Sequence, residues 1–511
     1  MAKVILPEAA WDVLLKKLKN VTPEIFDNEG RILNLIAGEW KNPGRGRHYF
    51  SSIDGTELGK LPMLSLHEGY QAVKAAAAEY DSWQKVSLDN RKDKVKACLD
   101  LLRENSQLLA YLLTWEIGKP YQQSMVSVDR CITGVEWYLE NIDSMLAGRK
   151  PLGLISNIAS WNYPMSVLMH AMLVQALAGN SVIAKTPTDG GLFSLSLACA
   201  LARRCGIPVS LISGSGGELS DALIHCQEVS ALSYVGGKSH GRGIALSLLD
   251  THKRHMLEME GVNAYGIWDY DNWEELAGQI KKGFEYGKQR CTAYVRWVVQ
   301  RELFPKFLDT YIPAIKSLKV GNPLLVEEGQ TELPKLDIGP LINTAKVEEL
   351  RGYYGDALGK GAIGLYKGEL DESMFTPNQD ISAYFAPATL LNVSRGSHLY
   401  YNEPFGPLDT ILVVDSVDEM IAEMNVSNGN LVSSVATDNK VVAGRMASEL
   451  RSFKVGINKV RSRGDKEETF GGLGQSWKGC FVGGKYLVYA VTQGPANEKL
   501  PGNFPDYTLL P

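Results

Sequence analysis

The sequence predicts an α/β protein, and two patterns carry that prediction. Between residues 151 and 249, short apolar runs alternate with helical periodicities: 151–155, 181–184, 209–212 and 231–234 read as strands, and 163–178, 192–204, 218–225 and 241–249 as helices. Strands separated by one helix each form a parallel sheet covered on both faces, with ligands beyond the carboxyl ends of the strands. Mixed α/β runs then recur over 276–460, which predicts a second domain.

The flanking elements follow in order. Residues 1–32 form an extension in which Trp11, Leu14, Leu15 and Leu18 recur at helical spacing, predicting a helix packed on the main body. Residues 33–65 alternate apolar positions with turns at Asn42-Pro43-Gly44 and Asp54-Gly55, as short strands do. Over 66–118 an alanine run and Val95, Leu99, Leu102 and Leu108 keep three- and four-residue steps, predicting helices. The stretch 486–491 is rich in Tyr and Val and reads as a strand.

Composition narrows the function. A chain of 511 residues with 45% apolar and 22% charged residues has the makings of two or three soluble domains. A net charge of −5 and scattered basic residues exclude a nucleic-acid partner. The seven cysteines, at 98, 131, 199, 205, 226, 291 and 480, include no CxxC pair and follow no secretion signal, so reduced thiols and a cytoplasmic location are expected. Pro7 and Glu8 interrupt the first apolar run, and 167–178 is too short to span a bilayer, so no transmembrane segment is expected. His252 and His255 stand three apart with no further ligand candidates, so no metal site is expected.

Three polar residues stand out chemically. Cys291 lies in Gln289-Arg290-Cys291-Thr292-Ala293, after Gly287, and an adjoining cation favours the reactive thiolate. Most cysteines are buried and inert, and the other six fit that description. Glu258 ends the run His255-Met256-Leu257-Glu258, where the bland alternative is a solvated surface carboxylate. Asn162 precedes Tyr163-Pro164 at a helix entry, where it could cap the helix or aim donors at developing negative charge. Gly237-Lys238-Ser239 matches the end of a phosphate-binding loop, but Leu232 stands where that loop needs glycine. Gly214-Ser215-Gly216-Gly217 lacks a full GxGxxG and reads as a turn.

Six segments, in order, resemble the aldehyde dehydrogenase superfamily: Trp161-Asn162-Tyr163-Pro164, residues 178–185, residues 234–241, Leu257-Glu258-Met259-Glu260-Gly261, Gln289-Arg290-Cys291-Thr292 and Glu403-Pro404-Phe405-Gly406-Pro407. Lesser matches are Glu116-Ile117-Gly118-Lys119-Pro120 and Phe470-Gly471-Gly472-Leu473-Gly474, and the resemblance runs from about residue 33 to 495. It implies a parallel-sheet dinucleotide-binding domain, an α/β catalytic domain and a bridging element that is shortened here. The ranges expected are 1–32 for the extension, 33–142 and 151–259 for cofactor binding, 260–456 for catalysis, and 143–150 with 484–496 for bridging.

The resemblance also implies a reaction: oxidation of a small-molecule aldehyde to an acid through a thioester, with NAD or NADP as cofactor. Cys291 would be the nucleophile, Asn162 with the Cys291 N–H would hold the oxyanion, and Glu258 would activate water. Trp161, Lys185, Thr188, Gly236, Gly241, Glu403 and Phe405 would line the dinucleotide. Tyr163, Ser166, Val167 and His170, at i, i+3, i+4 and i+7, would line the substrate tunnel with Arg290 and Thr292, and Arg461 and Arg463 would lie at its mouth. Arginine suits a substrate carboxylate, which points to polar, aromatic or semialdehyde substrates over fatty ones. The rivals are a CoA-acylating enzyme, which has no use for Glu258 as a base, and a silent relative serving as a binding or structural protein.

Several positions depart from the family pattern. Glu260 replaces a glycine and sets a second carboxylate near Glu258; if both face the site, one pKa should rise. Gly237 stands where Ser or Thr is common. Thr188 replaces the acid of strict NAD users, which removes repulsion against a 2′-phosphate and admits NADP. The stretch 146–150 is short where family members bridge subunits, yet a homo-oligomer, dimer or higher, is expected, with 486–491 as the pairing strand.

Overall fold

The computed structural model describes residues 3–427, 429–462 and 465–504. The chain divides into two compact units. The first comprises Val4–Leu257, Lys466–Thr469 and the chain from Lys478; the second comprises Glu258–Asp465 and Phe470–Trp477.

The first unit is built on a nine-stranded sheet. Its centre runs Arg254–Glu258, Val229–Val235, Leu154–Ile158, Ser181–Lys185, Val209–Ile212, and the antiparallel ribbon Asn34–Ile36 and Glu39–Lys41 closes one edge. The central strands are parallel, with Leu154 opposite Ser181, Val182 opposite Val209 and Ala231 opposite Ile155. Every residue of Ser181–Lys185 is buried, as befits a strand covered on both faces. Leu192–Arg204 runs as one helix, and Val73, Ala76, Ile183, Ile212, Leu219 and Leu223 pack together on one side of the sheet. Leu66–Ala78 begins with a capping box in which Ser65 and Glu68 each accept the other's backbone N–H, a device that contributes about 1 kcal/mol.

The extension folds as its periodicity predicts. Trp11–Val21 is a helix whose Trp11, Leu14 and Leu18 are buried; Trp11 meets Phe193 edge-on at 4.8 Å, and Trp115 Nε1 donates to Ala9 O at 2.7 Å.

Two local expectations are corrected. Residues 163–178 are not one α-helix: Pro164–Met169 forms a π-turn, and the α-helix proper is His170–Leu177. Proline at the start offers no N–H to the tighter ladder, and a π-turn advances fewer degrees per residue than the α spacing assumes. Nor is 486–491 a strand. Lys485–Tyr489 is a short helix that turns Leu487 and Val488 inward, because Gly483 and Gly484, both at positive φ, start a turn rather than an extended run. Pairing falls instead on Thr492–Gln493, which lies antiparallel to Lys150–Pro151. Arg149 fastens this ribbon, donating to Thr492 Oγ1 at 2.8 Å and pairing with Glu498, while Tyr138 OH donates to Gly484 O at 2.8 Å. At the far edge of the nine-stranded sheet, Trp477–Cys480 and Gly502–Asn503 follow Arg254–Glu258.

The second unit holds a seven-stranded sheet ordered Ile363–Lys367, Ala388–Leu391, Leu408–Val414, Arg296–Gln300, Ala264–Ile267, Asn430–Ala436, Ser452–Ile457. All pairings are parallel except the first, where Ile363 faces Leu391. The fold is thus α/β with two largely parallel sheets. No helix among the described residues is long and apolar enough to cross a membrane.

Candidate active site

In the second unit the nucleophile candidate sits on a turn that precedes the strand Arg296–Gln300. Tyr286, Gly287 and Lys288 carry φ of 60°, 59° and 56° in succession, and only the middle one is glycine. A left-handed conformation costs each of the other two about 1–2 kcal/mol, so other contacts must hold the turn. Asn263, fully buried, supplies two: its Nδ2 donates to Cys291 O at 2.7 Å and to Ala293 O at 3.1 Å, while its Oδ1 accepts Val432 N–H. Lys288 supplies two more. Its fully buried ammonium donates to Tyr294 O and to Asp409 Oδ1, both at 2.6 Å, and lies 3.9 Å from the Phe284 ring centroid. Asp409 Oδ2 also accepts Trp297 Nε1–H and Tyr311 O–H, each at 2.8 Å. Removing one partner of such a buried pair costs about 3–5 kcal/mol.

Cys291 and Thr292 are half-buried. Burial pushes up the thiols of Cys98, Cys131, Cys199, Cys205, Cys226 and Cys480, which keeps them protonated and inert. Arg290 is turned away from the role expected of it: its Nη2 donates to Gly283 O at 2.8 Å and Lys282 O at 3.3 Å, at the carbonyl end of the helix Trp273–Gly283. A guanidinium is well placed there against the helix dipole. Tyr294 O–H lies against Ser434 Oγ at 2.7 Å and accepts Arg461 N–H at 2.8 Å; burial lifts this phenol to about 12, against the lowering charges of Arg461 and Arg290. Arg463 lies outside the described residues.

Glu258 ends its strand 3% exposed, and its Oε2 has no hydrogen-bond partner among the described residues. A buried carboxylate oxygen left in that state is costly unless it serves a purpose, and a water to be activated is one. Glu260 is half-buried, and its charge reaches Tyr353, whose phenol is raised by burial first, then by the hydrogen bond and the charge of Glu349, and least by Glu260. Glu403 is buried, and Phe405 holds a left-handed φ of 49°, strained for an aromatic residue. A Cβ at Gly406 would meet the Leu350 side chain at 2.4 Å, so a larger residue there would have to displace that buried leucine.

In the first unit Asn162 is 5% exposed at the entry to the π-turn. Lys119 Nζ donates to its backbone carbonyl at 2.9 Å and stands 3.9 Å from the Tyr163 ring centroid. Ser160 Oγ donates to Asn162 Oδ1, which orients the amide NH2 as the donor an oxyanion requires. Tyr163, Ser166, Val167 and His170 are half-buried between buried Pro164, Met165, Leu168 and Met169, so a common less-buried side survives the change of helix type. Ser166 Oγ lies 3.2 Å from Ser127 Oγ, and His170 packs edge-on against Tyr138 at 5.7 Å, so both are engaged by the long helix Tyr121–Leu146.

The other dinucleotide candidates, apart from Glu403 and Phe405 of the second unit, lie at the carboxyl ends of the first unit's strands. Lys185 ends its strand 4% exposed, donating to Thr186 O at 3.1 Å and Thr188 Oγ1 at 3.3 Å. Burial, and next the charge of Arg47, push its pKa down to about 8, with Asp189 opposing. Arg47 is a residue that sequence reasoning missed. It reaches over from the strand Arg47–Phe50, donates to Thr188 O and stands 3.9 Å from Asp189. Two cations thus converge where, among the described residues, the half-buried Asp189 is the carboxylate that answers them, an arrangement that fits an anionic or hydroxyl-rich ligand such as a nucleotide ribose. Gly237 caps the helix Lys238–Ser247 with open space around it. Gly236 has an internal reason to be glycine: a Cβ there would meet Tyr234 Oη at 2.6 Å. Gly241 is buried within that helix, and Trp161 is half-buried beside Gly190.

The chain is similar to known proteins over most of its length. Residues 41–494 match the model of the aldehyde dehydrogenase family. Mitochondrial succinate-semialdehyde dehydrogenase of Rattus norvegicus is 27% identical over 477 residues, covering 89% of this chain and 88% of its own. A non-phosphorylating aspartate-semialdehyde dehydrogenase of Halomonas elongata is 28% identical over 464 residues, covering 87% and 91%. The crystal structure of NADP-dependent glyceraldehyde-3-phosphate dehydrogenase from Bacillus halodurans with NADP superposes with a TM-score of 0.81 at 25% identity, over 90% of this chain and 97% of that one. With a family match running nearly its whole length, the chain belongs to the aldehyde dehydrogenase family.

Proposed function

We propose that this NAD(P)-dependent aldehyde dehydrogenase oxidises its substrate through a thioester on Cys291. The observation that carries the reading is the held turn: a half-buried thiol on a strained backbone fixed by Asn263 and Lys288. Cys291 Sγ attacks the aldehyde carbonyl, and Asn162 steadies the oxyanion. Loss of the former aldehyde hydrogen as hydride leaves the thioester, and Glu258 takes the proton of the water that hydrolyses it. The dinucleotide, when bound, supplies the hydride acceptor. Glu403 would bond its nicotinamide ribose, Phe405 would pack by the ring, and Lys185 with Thr188 would hold the adenosine ribose. The fate of the thioester is tested with CoA: acid formed at the same rate with and without CoA supports hydrolysis by the water Glu258 activates, and acyl-CoA as the product rejects that second half of the route.

For the cofactor, the reading is that NADP is accepted at least as well as NAD. Lys185, Thr188 and Arg47 support it, because a 2′-phosphate would relieve the repulsion between the two cations. Arg47→Gln is expected to raise the KM for NADP about tenfold, equivalent to roughly 1.4 kcal/mol, and to leave that for NAD within about twofold. The pH dependence has a definite sign. The Lys185 charge is present below its pKa of about 8 and lost above it, so the KM for NADP rises with pH beyond that point. A wild-type preference for NAD of about a hundredfold, near 3 kcal/mol, rejects the reading.

For the substrate, the reading is a small polar, aromatic or semialdehyde compound. With Arg290 spent on a helix end, Arg461 beside Tyr294 is the remaining described support, together with relatives named for succinate and aspartate semialdehydes. The kcat/KM for succinic semialdehyde or benzaldehyde should exceed that for a long-chain alkanal. An alkanal ahead by tenfold or more contradicts this. We read the protein as cytoplasmic, supported by seven free cysteines, and as a homo-oligomer, supported by the two-stranded ribbon Lys150–Pro151 and Thr492–Gln493 in the stretch where family members bridge subunits.

A further inference from the structure

We propose that Lys288 and Asp409 are a positioning pair that sets the reactivity of Cys291 without touching substrate or cofactor. The inference rests on Cys291 being the nucleophile. Lys288 stands three residues before Cys291, and the carbonyl its ammonium grips, that of Tyr294, stands three residues after it. The side chain therefore closes the thiol turn across its own mouth. The second grip, on Asp409 Oδ1, ties that closed turn to the strand Leu408–Val414. Asp409 is itself immobilised by Trp297 and Tyr311, so the anchor is rigid. Its position is four residues beyond Phe405, in the same tight segment that passes through Gly406 and Pro407. One ion pair thus fixes both the nucleophile turn and the end of the segment carrying Glu403 and Phe405. Lys288 is itself left-handed, at φ 56°, a conformation that persists only where its surroundings over-determine it, and the two grips on its side chain do so. An apolar side chain of similar length would fill the space but could not hold the Tyr294 carbonyl.

The experiment compares full-length wild type with Lys288→Met, Asp409→Asn and the double variant. The readouts are the thermal midpoint, kcat, and the rate of Cys291 alkylation by iodoacetamide across pH. Each single variant is expected to melt early, because each leaves a buried group without its partner. The double variant should recover much of the midpoint while kcat and alkylation stay at least tenfold below wild type. A double variant that folds and keeps both rates within about twofold overturns the proposal and makes the pair purely structural. Where the double variant does not fold, Lys288→Gln decides: it should fold and alkylate at least tenfold slower, and wild-type rates in it overturn the proposal. Failure of both to fold overturns it as well. If iodoacetamide does not inactivate the wild type, the nucleophile assignment fails instead, which separates the two ideas.

Discussion

Cys291→Ala is expected to lose turnover by about 10⁴-fold or more while the dinucleotide Kd stays within about twofold. The structure makes this substitution unusually clean. The contacts that hold the turn are to the backbone carbonyls of Cys291 and Ala293, from Asn263, and to Tyr294 O, from Lys288. Alanine keeps all of these and removes only the sulfur. The loss then measures the covalent route, with no contribution from a collapsed turn. Dinucleotide affinity is read by fluorescence titration of NADPH and turnover by the appearance of reduced cofactor. A variant that retains a tenth of wild-type turnover would show that the thioester route is wrong.

Glu258→Gln should separate the two halves of the reaction. The amide is nearly isosteric with the carboxylate and fits the same 3%-exposed position, but it cannot accept a proton from water. Formation of the thioester continues and its hydrolysis slows, so rapid mixing should show about one equivalent of reduced cofactor per site in a burst. The steady rate after it should be lower by about 10²–10⁴. Equal loss in burst and steady phases would reduce Glu258 to a structural carboxylate. Glu260→Gln, which leaves the buried Glu258 carboxylate in place, is not expected to reproduce the burst.

The legibility of this chain was uneven for physical reasons. The parallel core was readable because strands such as Ser181–Lys185, buried on both faces, become unbroken apolar runs between helices. The π-turn at Pro164–Met169 was not, since half-buried positions at 163, 166, 167 and 170 suit either helix type. The stretch 486–491 misled because Tyr and Val favour strands in isolation, while the buried contacts of Leu487 and Val488 decided for a helix. Motif order pointed to Cys291, Glu258 and Asn162. The bracing contacts within each unit span long separations, 141 residues for Arg47 and Thr188 in the first and 121 for Lys288 and Asp409 in the second. No local pattern marks a partner that far away.

The split composition of the first unit has a consequence for the chain as it leaves the ribosome. Its sheet reaches Arg254–Glu258 early, but the strands beyond, Trp477–Cys480 and Gly502–Asn503, come from the last part of the chain, as do the acceptors of Arg149 and Tyr138. Roughly 220 residues of the second unit are made in between, which at about 5–20 residues per second takes roughly 10–45 s. Throughout that interval Arg254–Glu258 is an uncovered sheet edge, the type of surface that pairs with the wrong strand. Nascent chains therefore depend on being kept apart for that time, and a slow codon run near the 3′ end of the message would lengthen the period of greatest aggregation risk.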